Sequence, residues 1–226
     1  MLAGVLYAQT LTGWQRSVEF GLAGSTGNSE SWSLWLATEW RYQSPGWEGV
    51  GRGRVLYQVS DRDSGVDRQE VDIQVMRSVH RRLYVTTTVQ GERDDRAGIY
   101  LRIRLGPGLG YRWLQTDRTR LETALSLGYM TAQMAYGRRD RSISAWVTVR
   151  LDHRFSDRLH YQQENRFVIN PADWHNVQAY GTSAFEFQFH RRARIKWTLA
   201  WRYQNLPPPD RVRHDLATTT TLVIQW

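Results

Sequence analysis

The last eleven residues, Leu216 to Trp226, read LATTTTLVIQW. Taking every second residue back from the end gives Trp226, Ile224, Leu222, Thr220, Thr218 and Leu216, with Gln225, Val223, Thr221, Thr219 and Ala217 between them. A period of two marks a strand whose faces meet different surroundings. Chain ends of soluble domains usually fray, so alternation that runs to the final residue and stops on an aromatic is unusual.

This ending resembles the carboxy-terminal signal by which bacterial outer-membrane barrels are recognised for insertion. Leu222, Ile224 and Trp226 are its apolar residues, and the barrel-assembly machinery is the partner it implies during insertion. The expectation is an even number of tilted strands of about 9–11 residues, apolar outside and polar inside.

Composition agrees with that picture. At 226 residues one domain is expected. Mean hydropathy is negative, and no run reaches the 18 or more apolar residues of a membrane helix. A membrane strand hides its apolar half behind a polar half, so a hydrophilic average does not exclude spanning. Eleven tryptophans and eleven tyrosines suit membrane–water interfaces. With no cysteine, disulfides, thiolate metal sites and cysteine nucleophiles are excluded. The six prolines leave strand ladders little interrupted. A charge of +8 first suggests nucleic acid, but the arginines are spread through alternating segments and turns, so anionic lipid head groups are the expected partner and nucleic acid is not. The start, MLAGVLYAQ, resembles the end of a secretory signal cleaved after Ala8, without a basic n-region. Residues 1–8 are therefore read as a leader remnant, and 9–226 as a single barrel domain.

Alternation appears in twelve segments, approximately 17–24, 31–42, 51–60, 68–79, 83–92, 98–113, 120–131, 141–154, 159–169, 174–190, 194–204 and 215–226. In the sixth, Ile99, Leu101, Ile103, Leu105, Leu109, Tyr111 and Trp113 oppose Tyr100, Arg102, Arg104, Gly106, Gly108, Gly110 and Arg112. Strand nine is the weakest, with Gln163 and Asn165 on its apolar face. Connections test the count. HRRA, SDR, QTDR and HRR are tight, whereas the alternate joints, such as NLPPPDRVRH and AQMAYGRRD, are longer. Short periplasmic turns and longer outer loops are the barrel rule, so twelve antiparallel strands place both termini in the periplasm. The joint QSPGWEGVG is the exception, long where a short one is expected. The rival class is a soluble all-β barrel or sandwich with its apolar faces inward; strands this long exceed its usual length of about 5–6 residues.

The inner face in this register carries Arg102, Arg104, Glu122, Arg150, Glu164, Arg166, Arg194 and Lys196 as lumen-lining candidates, among many charges of both signs. Barrels of eight strands are filled by side chains and those of 16–18 leave a channel. Twelve lies between, so two interiors are in play: one closed by ion pairs, or a narrow anion-leaning pore lined by Arg102, Arg104, Arg150 and Arg194. Gly106, Gly108 and Gly110 point inward, allowing a bend or leaving room for opposing side chains. At the outer rim, Arg138, Arg139, Arg141, Arg211 and Arg213 are candidates for contact with lipopolysaccharide phosphates.

Catalysis finds little support. His153 and Ser156, in DHRFS, are the one base–nucleophile combination to test, but His153 falls on the outward parity. His80 and His190 read as interfacial turn residues. No HExxH or calcium loop is present, and Asp61, Asp63 and Asp67 are matched by Arg62 and Arg68. No cofactor is expected.

Three stretches together resemble one family: the glycine turn Gly24-Ser25-Thr26-Gly27-Asn28-Ser29; Leu105-Gly106-Pro107-Gly108-Leu109-Gly110-Tyr111 followed by Thr116-Asp117-Arg118; and Pro207-Pro208-Pro209 leading through Asp215 into Thr218–Thr221. Their order and spacing over about residues 16–226 resemble the domain of unknown function 481 family, also called salt-induced outer-membrane proteins. Trp226 departs from that family's usual terminal Phe. The resemblance implies an outer-membrane barrel and carries no catalytic residue across. Three functions follow as expectations: a narrow passive channel for small polar solutes or ions; a plugged structural or envelope-stress barrel; and, on His153 and Ser156 alone, a lipid hydrolase. Oligomeric state is not readable from the sequence.

Overall fold

The computed structural model describes residues 12–26, 31–59, 64–95, 98–134, 137, 139–171, 173–205 and 213–226. Residues 1–8, expected from the sequence to be a leader remnant, the rim arginines Arg138 and Arg211, the loop aspartates Asp61 and Asp63 and the Pro207–Pro209 run lie outside the described residues. The strands are β1 (Gly13–Thr26), β2 (Ser31–Ser44), β3 (Trp47–Val59), β4 (Ser64–Ser78), β5 (Leu83–Asp94), β6 (Ile99–Gln115), β7 (Thr119–Met134), β8 (Arg139–Arg154), β9 (Leu159–Asn170), β10 (Asp173–His190), β11 (Ala193–Gln204) and β12 (His214–Gln225).

Each strand pairs antiparallel with its neighbours, and β1 pairs with β12 to close the barrel. The terminal stretch makes that closure: Phe20 faces Leu222 and Val18 faces Ile224. Trp226 donates its backbone N–H to the Arg16 carbonyl at 3.1 Å. A sheet without edges leaves no row of unpaired backbone groups, the condition for standing in hydrocarbon.

The burial pattern is the inverse of a soluble barrel. Leu22, Leu109, Leu125, Leu127 and Ile143 are 56–68% exposed on the outside, whereas Thr86, Thr88, Glu122, Ser126 and Glu186 are buried within. Aromatic side chains gather outward at the strand ends. Trp14, Trp47, Trp113, Phe155, Phe189 and Trp226 ring the end of the tight turns, hereafter the turn end; Tyr57, Tyr100 and Tyr129 stand exposed towards the other, the loop end. Two aromatic girdles around an aliphatic belt are the outer pattern of a transmembrane barrel. The soluble reading is thereby excluded.

Two local readings need correction. The joint expected to be long at QSPGWEGVG is a two-residue turn, with Ser44 paired to Trp47 and Gly46 at φ +79° after Pro45. Pro followed by a residue of positive φ suits a type II turn. The start of the strand, before the segment expected from residue 51, was hidden because its outer positions Gly49, Gly51 and Gly53 carry no side chains. Trp40 and Thr38 of β2 lean to 3.3 Å from where Cβ atoms at Gly51 and Gly53 would stand. In β6 a bulge between Ile99 and Leu101 inverts the parity, so Ile99 is buried and Tyr100 points outward, 55% exposed.

Inside, Trp146 and Tyr84 lie almost wholly buried against the β5–β8 wall. They fit because glycine sits where they cross. A Cβ on Gly106 or Gly128 would land in the Trp146 ring, and one on Gly110 in the Tyr84 ring. Replacing Gly110 by Val is expected to displace Tyr84 and destabilise the barrel by about 2 kcal/mol, read as a lower urea midpoint of the folded protein. Gly91→Val, whose Cβ meets nothing within 4 Å, should leave that midpoint in place.

Candidate functional site

Charged residues recur at every second position of the inner faces, and the register sets opposite charges abreast across neighbouring strands. Arg150 faces Glu164, Glu122 faces Arg150, Glu92 faces Arg102, Glu39 faces Arg52, Arg54 faces Glu70 and Glu186 faces Lys196. Such pairs are the unit of sheet stabilisation, and a one-residue slip would turn all of them into the lipid.

The densest network lies on β7–β9. Glu122, 5% exposed, lies 2.9 Å from Arg120, 3.7 Å from Arg150 and 4.0 Å from Arg112. Arg150 donates onward to Glu164 at 2.9 Å, and Arg166 shares the same carboxylate at 3.1 Å. Arg112 also packs over the Tyr84 ring at 4.8 Å. Arg120 then reaches across the lumen, donating to Glu48 of β3 at 3.1 and 3.2 Å. These two strands are not neighbours in the sheet, so this contact spans the interior.

Ion pairs continue around the opposite walls. Glu39 bridges Arg41 at 3.3 Å and Arg52 at 2.8 Å, with all three side chains 24–33% exposed. Glu70 joins Arg54 and Arg68, and Glu92 joins Arg68 and Arg102. On β11, Arg194 holds Glu186 at 2.8 Å and Lys196 holds Glu19 at 2.9 Å. A cavity of about 780 Å³ opens at the turn end beside these groups, lined by Arg16, Glu19, Glu39, Arg41, Glu186, Arg194 and Lys196 among others.

Each of the eight lumen candidates is thus an inward side chain, and seven hold ion pairs. Arg104 differs: it donates to the Gln90 amide oxygen at 2.9 Å and, among the described residues, makes no ion pair. Sequence reasoning passed over Glu48, Arg52, Arg68 and Arg120. Arg52, Arg68 and Arg120 share parity with Arg54, Glu70 and Glu122, a signal that was present. Glu48 was concealed by the misread turn. The terminal residues Leu222, Ile224 and Trp226 stand on the outer face. Arg139 and Arg141 are exposed at the loop end of β8, and Arg213 is exposed before β12.

His153 and Ser156 are engaged separately. The ring of His153 pairs with the Thr119 hydroxyl at 2.8 Å and meets Phe155 edge-on. Ser156 Oγ accepts the backbone N–H groups of Arg158 and Leu159, closing its turn. Among the described residues no cluster of His, Cys, Asp or Glu is arranged to hold a metal ion.

Solved structures with this architecture are barrels of the outer membrane. NanC porin superposes with a TM-score of 0.63 at 7% identity, covering 92% of this chain and 98% of that one. An outer-membrane channel from Pseudomonas putida F1 also scores 0.63, at 9% identity with full coverage of both chains. The translocator domain of the autotransporter NalP from Neisseria meningitidis scores 0.58 at 9% identity, covering 97% and 90%. At such identities the likeness is one of fold. The protein is a twelve-stranded antiparallel β-barrel of the outer-membrane type. It belongs to the DUF481 family of proteins of unknown function, whose sequence model matches residues 18–226. A comparison with curated protein sequences finds no match.

Because Glu122 answers three guanidinium groups, Glu122→Gln should leave them mutually repelling in a mostly buried site. A loss of about 3 kcal/mol is expected, measured as a lower denaturant midpoint for refolded barrel; an unchanged midpoint would show that the network does not hold the β7–β9 wall.

Proposed function

We propose that the protein is a narrow passive channel for small polar solutes or ions, and not an enzyme, in the outer membrane of a Gram-negative bacterium. The turn end and both termini face the periplasm, and the longer joints face outward. Leu222, Ile224 and Trp226 serve as the signal read by the barrel-assembly machinery. At the outer rim, Arg139, Arg141 and Arg213 meet lipopolysaccharide phosphates, a charge-assisted contact that suits guanidinium groups.

The observation that carries the channel reading is the uneven filling of the lumen. Glu122 and Arg150 on β7–β8 are 5% and 16% exposed within a tight network, whereas Arg41, Arg54, Arg68 and Arg194 keep 30–40% of their side-chain surface exposed. The cavity of about 780 Å³ enters from the turn end past Arg41 and Arg194. A water path hugging one wall is what such a lumen offers. The porin and channel named among the similar structures support the reading.

A second reading has its own observation: Arg120 and Glu48 join across the interior, as expected of a plugged, structural barrel. Planar-bilayer recording separates the two. Discrete current steps are expected from folded protein, and trimming both members of the strut (Arg120→Ala with Glu48→Ala) should enlarge the unitary conductance. A flat trace from properly folded wild-type protein would sink the channel reading in favour of the structural one.

A further inference from the structure

The loop-end half of the lumen is rich in arginine, and several of these guanidinium groups share one carboxylate. Glu92 is divided between Arg68 and Arg102, Glu70 between Arg54 and Arg68, and Glu164 between Arg150 and Arg166, while Asp94 adds a longer contact to Arg68 at 3.8 Å. The Asp72 carboxylate accepts the Gln90 amide, and the other end of that amide receives Arg104 at 2.9 Å. Arg104 therefore donates to neutral acceptors alone among the described residues, with Arg102 and Arg166 close enough to repel it and Glu92 close enough to attract it. Arg202 stacks on the Tyr180 ring at 5.2 Å, and the register sets Arg166 and Arg202 on either side of Tyr180. Tyr180 in turn lies near Arg104 on the facing wall.

Several donors here are left unused. Among the described residues the buried Nε atoms of Arg102, Arg104 and Arg166 have no hydrogen-bond partner. Buried donors without partners cost free energy, and converging like charges add to it. Both costs fall when an anion enters. Guanidinium forks match the geometry of carboxylate and phosphate groups.

We propose that the loop-end half of the lumen is an oxyanion-binding site, in which the carboxylate or phosphate group of a small solute seats between Arg104, Arg166 and Arg202. The inference rests on the channel reading and deepens it: the solutes that pass are anions held briefly at this site.

Calorimetric titration of the folded, detergent-solubilised barrel with acetate, and separately with inorganic phosphate, at constant ionic strength tests the site directly. Saturable binding of at least one anion is expected, and the tighter of the two names the group preferred. Arg104→Gln should weaken it about tenfold, the loss of one charge-assisted hydrogen bond. Arg104→Lys keeps the charge without the fork and should fall between, and Arg77→Gln on the outer wall, where the side chain lies over Trp47, should match wild type. Should Arg104→Gln fail to fold, Arg202→Gln takes its place with the same expectation. Absence of saturable heat with both anions, or equal affinity in the lumen variants, overturns the site. Bilayer current is read separately: binding without current removes the channel and keeps the site, and current without binding does the reverse.

Discussion

Closure of the sheet between β1 and β12 is the constraint on which the rest depends. In hydrocarbon a backbone N–H or C=O without a partner costs several kcal/mol, so a strand at an open edge has no place there. The terminal residues are therefore structural to the end: Thr221 and Val223 fill the interior while Leu222 and Ile224 face outward. Pairing from Ser17 with Gln225 to Thr26 with Leu216 turns a meander into a tube. With the tube closed, parity separates two chemistries along every strand.

Registration then governs the interior. Because neighbouring strands present opposite charges abreast, the lumen networks are a product of backbone pairing, and they also reward the correct pairing over a slipped one. Burial of polar groups is tolerated where each finds a partner. Glu122 among three arginines meets that condition on the β7–β9 wall. Arg104, bonded to a neutral amide, meets it less well. The large inner rings follow the same logic in apolar form, since Trp146 and Tyr84 occupy volume that Gly106, Gly110 and Gly128 vacate.

Much of this was legible from residues alone because alternation is a local signal. The strand count, the segment from Leu159 and the terminal strand could be read directly. What failed was also local. A β3 whose outer face is glycine presents no apolar set to alternate, and the bulge after Ile99 reverses parity within a single strand. The contacts that define the lumen were less accessible. Arg120 with Glu48, or Arg104 near Tyr180, depend on strand tilt and stagger, which set what faces what across a barrel. Sequence spacing holds no record of those quantities.

The strut from Arg120 to Glu48 has a mechanical consequence. A thin-walled tube squeezed from the side resists flattening only through the bending stiffness of its wall. A tie across one chord removes that freedom in one direction and leaves it in the other. Here the tie joins β3 to β7, and the packed Trp146 and Tyr84 stiffen the wall beside it. The ion pairs of β10–β12 and β1, by contrast, run along the wall between Glu19, Glu186, Arg194 and Lys196. The barrel is thus braced along the chord from β3 to β7.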